Sequence, residues 1–168
     1  MQKDLSQIKL FAMDVDGTLT DGKIYIGCNG ESMKAFSPKD GLGIKLLLRH
    51  DIIPAIITGR TSEIVKNRCQ EIGIPILFQG IRDKAAILKE LMKKYDLKQE
   101  QVAYIGDDMN DLAPIKMAGV TFAPADCATQ LVPYVDYVLS KRAGDSPVRE
   151  AIDMILQDRL TEEDYVDL

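Results

Sequence analysis

The chain has 168 residues, 46% of them hydrophobic and 28% charged, with a formal net charge of −5. That length suits one packed domain, which buries about 70% of the surface its unfolded chain would expose. The acidic balance excludes a nucleic-acid surface, which needs a basic face, and no apolar run is long enough to span a bilayer.

The first apolar run, Ile8 to Asp14, predicts a buried strand that ends abruptly in carboxylates, Asp14 and then Asp16. Gly17 follows as a residue free to turn with positive φ, and Thr18 adds a hydroxyl. Carboxylates at the end of a buried strand cost solvation energy unless a cation or proton partner sits there. Mg²⁺ suits the position, because it takes a few carboxylate oxygens and leaves places for water and phosphate. An aspartate can also act as a nucleophile and form an aspartyl-phosphate.

Next, Lys23 to Gly27 and Glu31 to Phe36, joined by Cys28-Asn29-Gly30, predict a β-hairpin within residues 22–37. A lone hairpin is marginal in water unless its apolar side is covered. Ile24, Ile26, Met33 and Phe36 are therefore expected to pack on something, another subunit included. Helices are predicted over Leu42 to His50, Ser62 to Ile72, Lys84 to Tyr95 and Asn110 to Met117. Strands are predicted over Ile53 to Thr58, Ile74 to Phe78, Val102 to Gly106, Val120 to Ala123 and Val135 to Leu139. A last helix begins at Ser146-Pro147, a capping hydroxyl followed by proline at the first helical position.

This alternation implies an α/β fold, a Rossmann-like doubly wound parallel sheet with a small hairpin after the first strand and no cap domain. Sites in such sheets form outside the carboxyl ends of the strands. The acidic tail, about residues 159–168, is expected to be mobile. Cys28, Cys69 and Cys127 are odd in number and lack a Cys-x-x-Cys spacing, so neither a disulfide framework nor a zinc site is indicated. Met1-Gln2-Lys3-Asp4 leads into no signal-peptide core, and a cytoplasmic protein is expected.

Four strand ends carry polar groups of the right kinds for one reaction. Asp14 and Asp16 end the first, and Thr58-Gly59-Arg60 ends the second with a hydroxyl and an accessible backbone N–H. Lys84 opens the third helix, and Gly106-Asp107-Asp108-Met109-Asn110-Asp111 forms a second acidic cluster. Each has a structural alternative: Thr58 as a helix cap, Lys84 as a solvated helix residue, the late cluster as a capping turn. Taken together, a metal bridging Asp14 and Asp107, with Thr58 and Lys84 holding phosphoryl oxygens, would neutralise charge in phosphoryl transfer. A phosphate-accepting receiver domain uses similar parts, but its phosphorylated Asp follows its acidic pair, whereas here Asp-x-Asp comes first. Arg68 falls on the apolar arc of Ile64, Val65, Cys69 and Ile72, as either a buried ion pair or a recognition group for a substrate carboxylate.

The four segments together resemble the haloacid dehalogenase-like phosphatases, and the resemblance covers nearly the whole chain. Leu19-Thr20-Asp21-Gly22, Lys39-Asp40-Gly41-Leu42-Gly43, Thr58-Gly59-Arg60 and Gln79-Gly80 narrow it to the cap-less branch of 3-deoxy-D-manno-octulosonate 8-phosphate (KDO 8-phosphate) phosphatases. The resemblance implies a Mg²⁺-dependent phosphatase for a 2-keto-3-deoxy sugar acid phosphate, with nine-carbon keto-deoxy or sialic acid 9-phosphates as the alternative. Asp14 would be the nucleophile and Asp16 the general acid/base, with Mg²⁺ held by Asp14, Asp107 and the Asp16 backbone carbonyl. Asp108 and Asp111 would orient these groups and Lys84. Substrate contacts would come from Asp16, Lys39, Asp40, Gly41, Thr58, Gly59, Arg60, Arg68, Lys84 and Asn110. A homotetramer is implied, with hairpins associating so that a neighbour closes each site. One departure stands out: the branch commonly reads Gly-Gly-x-Gly-Ala-Val-Arg-Glu where this chain has Ala143-Gly144-Asp145-Ser146-Pro147-Val148-Arg149-Glu150.

Overall fold

The run after Ile8 does form a strand, and it lies inside a six-stranded sheet. The computed structural model describes residues 3–157 and 159–166. In chain order the elements are β1 (Leu10–Met13), β2 (Tyr25–Gly27), β3 (Gly30–Met33), α1 (Pro38–Arg49), β4 (Ile53–Ile57), α2 (Glu63–Ile72) and β5 (Ile76–Phe78). They continue with α3 (Lys84–Lys94), β6 (Val102–Ile105), α4 (Leu112–Met117), β7 (Val120–Ala123), β8 (Tyr137–Val138) and α5 (Pro147–Leu156). The sheet order is β5-β4-β1-β6-β7-β8 and every pairing is parallel. Leu10 of β1 pairs with Ile53 on one side and Val102 on the other. The chain therefore builds outward from β1 through β4 and β5, then returns to β1's other edge with β6. That reversal opens a crevice at the carboxyl ends of β1 and β6.

Alternate side chains on each strand serve opposite faces, as the pleat requires. Phe11, Met13, Ala103, Ile105 and Phe122 pack with α1, α2 and α5. Leu10, Ala12, Ala55, Ile57 and Tyr104 pack with α3 and α4. Both faces are covered, which is why these strands read as continuous apolar runs instead of alternating ones.

Helix α1 starts four residues earlier than its apolar pattern predicts. Ser37 caps it by accepting a hydrogen bond from Lys39 N, and Pro38 occupies its first turn. Gly41, one residue before the predicted helix start, lies inside this helix, where space favours glycine. A Cβ there would lie 2.6 Å from Arg68 Nη2 on α2.

The departure at Ser146-Pro147 also has a physical account. Ser146 adopts a left-handed conformation, φ +69°, that favours glycine. Its hydroxyl shares a 2.7 Å hydrogen bond with that of Ser37, tying the start of α5 to the start of α1. Pro147 then supplies the preset first helical residue.

The described part of the acidic tail folds back on the body of the protein. A short 3₁₀ turn, Glu162–Tyr165, returns to the end of α1. Arg49 donates to the carbonyls of Asp164 at 2.9 Å and Val166 at 2.8 Å, and His50 Nε2 lies 3.0 Å from Asp164 Oδ1. Asp167 and Leu168 lie outside the described residues. Among the described residues no helix is long and apolar enough to cross a membrane.

Phe122 anchors one face, edge-on to Phe11 at 6.0 Å and stacked on Tyr137 at 5.3 Å. Phe122→Ala should lower the unfolding free energy by about 3–5 kcal/mol in urea titrations. A loss under about 1 kcal/mol would show that this layer collapses to fill the gap.

Candidate active site

The crevice between β1 and β6 gathers three carboxylates. Oxygens of Asp14, Asp107 and Asp111 all lie within 4.8 Å of one another. Asp14 extends β1 by one residue, its N–H bonded to Ile105 O at 3.1 Å. Gly17 then turns the chain at φ +87°, and a Cβ at that position would come within 2.1 Å of Asp107 Oδ2. Glycine is thus required twice over, by its backbone angle and by the approach of the second acidic loop.

Lys84, the first residue of α3, reaches into this cluster almost fully buried. Its Nζ lies 2.7 Å from Asp111 Oδ1 and 3.0 Å from Asp14 Oδ1. Burial opposes its charge, yet Asp111 and Asp14 together hold its pKa above the ordinary lysine value. Asp111 is further bound by the Tyr104 hydroxyl at 2.6 Å and by Asp107 N at 3.2 Å. With both oxygens engaged, it works as a bracket that spaces Lys84, Asp107 and β6. Asp108 is exposed and caps the 3₁₀ turn Met109–Asp111 through Met109 N, while Asn110 projects from that turn.

One lysine does not neutralise the group. Burial first, and then the charge of Asp111, push the Asp14 carboxyl up to about 6. Burial, Asp14 and Asp111 push Asp107 up to about 7. An all-oxygen cluster short of positive charge fits a hard divalent cation.

Asp16 sits apart from this group and is ringed by cations. Lys34, from the hairpin, donates a hydrogen bond to Asp16 Oδ1, and Arg60 Nε lies 3.7 Å from Oδ2. Thr58 is buried at the end of β4, its N–H on Phe78 O at 2.9 Å, and Gly59 and Arg60 follow in the same loop. Lys34, Glu31 and Tyr104 escape a reading of the sequence. A buried tyrosine next to an acidic loop is the one sequence signal that could have exposed Tyr104.

Not every residue expected at the site meets the acidic cluster. Among the described residues, no hydrogen bond or ion pair joins Lys39, Asp40 or Arg68 to Asp14, Asp16 or Asp107. Arg68 instead pairs with Glu71 at 2.9 Å, donates to Ser37 O at 3.3 Å, and lies over the Phe36 ring. Glu71 is a mostly exposed partner one helical turn away, so this pairing leaves both readings of Arg68 open. Asp40 accepts from Arg149 N at 2.7 Å, and burial drives its pKa up to about 7. Lys39 lines a groove of about 810 Å³ beside α5, with Lys141 and Arg149. Gly41 faces Arg68, as described above.

Carboxylates and a buried lysine at the switch point of a parallel sheet are the parts of a phosphoryl-transfer site. A family model described as haloacid dehalogenase-like hydrolase matches residues 76–152. The 3-deoxy-D-manno-octulosonate 8-phosphate phosphatase of Haemophilus influenzae is 44% identical over 157 residues, covering 94% of this chain and 87% of that protein. A cobalt-bound structure of the Haemophilus influenzae enzyme superposes with a TM-score of 0.88 at 44% identity, covering 91% of this chain and 90% of that one. The Moraxella catarrhalis enzyme, solved with magnesium, phosphate and KDO, gives 0.88 at 42% identity, covering 91% and 88%. This chain belongs to the haloacid dehalogenase-like hydrolases, in the cap-less 3-deoxy-D-manno-octulosonate 8-phosphate phosphatase family. The receiver-domain alternative is thereby set aside.

The raised pKa values make a sign-specific prediction for the metal-free protein. Asp14 and Asp107 hold protons in the folded chain at pH values where the unfolded chain has released them. Their contribution to stability is present below about pH 4 and is lost as pH rises through about 6 to 7. Chelated protein should therefore lose stability across that window in denaturant titrations, and a divalent cation should flatten most of the slope. Asp40, raised by burial first and also by the charge of Asp145, should leave a metal-independent remainder. A slope that cation addition does not change would mean these carboxylates bind no metal.

Proposed function

We propose that this chain is a Mg²⁺-dependent phosphatase that hydrolyses KDO 8-phosphate to KDO and inorganic phosphate. The supporting observation is the carboxylate cluster of Asp14, Asp107 and Asp111 around Lys84, in a chain whose relatives carry that enzyme's name. The cation would be held by the Asp14 and Asp107 carboxylates and the Asp16 backbone carbonyl, and it supplies positive charge to the phosphoryl oxygens. Lys84 and Thr58 hold the same phosphoryl group from the protein side.

An Asp14 carboxylate oxygen attacks phosphorus in line, and the bond from phosphorus to the sugar oxygen breaks. Asp16, protonated, gives its proton to that departing oxygen. Asp16 then takes a proton from water as the water attacks phosphorus of the aspartyl-phosphate, which frees phosphate and restores Asp14. Arg60, beside Asp16, is the cation best placed for the sugar acid as it enters, with Gly59 and Asn110 at the rim.

We also read residues 1–168 as one phosphatase domain that works in the cytoplasm as a homotetramer. Ile24, Ile26 and Met33 leave the hairpin's apolar side open, Ile26 at 77% exposure, and a neighbour covering them would close each site. Phe36 belongs elsewhere, packed against the core beneath Arg68.

Asp14→Asn should abolish turnover while leaving the unfolding transition in place, and EDTA should remove activity that Mg²⁺ restores. Appreciable steady-state turnover in the variant would remove Asp14 as nucleophile. Across a panel of KDO 8-phosphate and nine-carbon keto-deoxy and sialic acid 9-phosphates, kcat/KM should be highest for the eight-carbon acid. A preference for a nine-carbon substrate would reassign the enzyme within its family.

A further inference from the structure

The hairpin is tied to the chemistry of its own chain. Lys34, one residue past β3, turns its side chain inward until only 1% of it is exposed. Its ammonium bonds to Asp16 Oδ1 and lies 2.9 Å from Glu31 Oε1. Glu31 accepts a hydrogen bond from the Ser62 hydroxyl at the cap of α2, and Arg60 approaches it at 3.7 Å. Acids and bases thus alternate across three segments: the end of β1, the hairpin and the loop after β4.

None of this is needed to form the hairpin. Its ladder pairs Tyr25 with Met33, Ile26 with Glu31 and Gly27 with Gly30. A lysine on an exposed hairpin gains nothing by burial unless its charge is paired. Asp16, for its part, sits on the loop before Gly17, where the β1–β6 pairing has already ended. Asp14 is fixed by burial and Lys84, but the cations ringing Asp16 are Lys34 and Arg60.

We propose that Lys34 is a positioning residue of the active site: aimed by Glu31, its ammonium fixes the orientation of the Asp16 carboxylate. The inference rests on Asp16 as the proton donor to the leaving oxygen. A carboxyl group that swings away from the scissile bond loses the geometric advantage on which general acid catalysis depends. The hairpin then belongs to the catalytic unit as well as to any assembly.

The test exploits leaving groups. KDO 8-phosphate expels an alkoxide that needs a proton, whereas 4-nitrophenyl phosphate expels a stable phenolate. Lys34→Met should lower kcat for KDO 8-phosphate about 30-fold with little change in KM, a fraction of what a general acid supplies, and lower 4-nitrophenyl phosphate turnover about threefold or less. Glu31→Gln, which weakens the aiming contact and the longer approach of Arg60 while keeping an acceptor for Ser62, should show the same pattern more weakly and serves if Lys34→Met fails to fold. In an Asp16→Asn background, Lys34→Met should add no further loss. Equal losses on the two substrates, an unchanged kcat, or losses that multiply in the double variant would overturn the proposal. Wild-type turnover of KDO 8-phosphate by Asp16→Asn alone would instead show that Asp16 is not the acid, and the role of Lys34 would fall with it.

Discussion

Like charges held close together at the switch point govern much of this structure. Asp14, Asp107 and Asp111 converge because β1 and β6 pair in register and end together. Such a group is tolerable only with counter-charge, and Lys84 provides it from the first turn of α3. The lysine in turn needs α3 to start where it does, with Asp83 capping it through Ala86 N at 3.0 Å. Tyr104 and the Asp107 N–H then hold Asp111 so that it can share one lysine with Asp14. Each support is local, but the requirement it meets comes from the electrostatics of the crevice.

Much of this was legible in the chain. Runs buried on both faces announce parallel strands, and β7 begins and ends where its apolar residues do. Acidic residues at the ends of two such runs mark the crevice. What the sequence leaves unseen depends on packing between elements remote in sequence. That Gly41 makes room for Arg68 is not shown by the sequence, because the two residues lie on different helices. The contact of Arg68 with Ser37 O joins residues 31 apart, so the alternation of elements does not announce it. Lys34 looks like an ordinary hairpin residue, since nothing in a hairpin's alternation says which distant acid it will meet.

Two separate uses of positive charge result. Lys84 is enclosed between Asp14 and Asp111, while buried Lys34 and half-exposed Arg60 flank Asp16. Two aspartates only two residues apart thereby occupy different electrostatic settings, one crowded by acids and one ringed by bases. Gly17 permits the separation by turning the chain as soon as Asp16 has passed.

The sheet order has a kinetic consequence. Asp14, Thr58, Lys84 and Asp107 come from segments spread over more than half the chain and meet only through parallel pairings, each of which closes a long loop. No fragment that has formed only local helices or the β2–β3 hairpin brings the carboxylates together. Catalytic competence is therefore a property of the completed sheet, and a nascent or partly refolded chain carries the reactive groups without the power to cleave a phosphate ester.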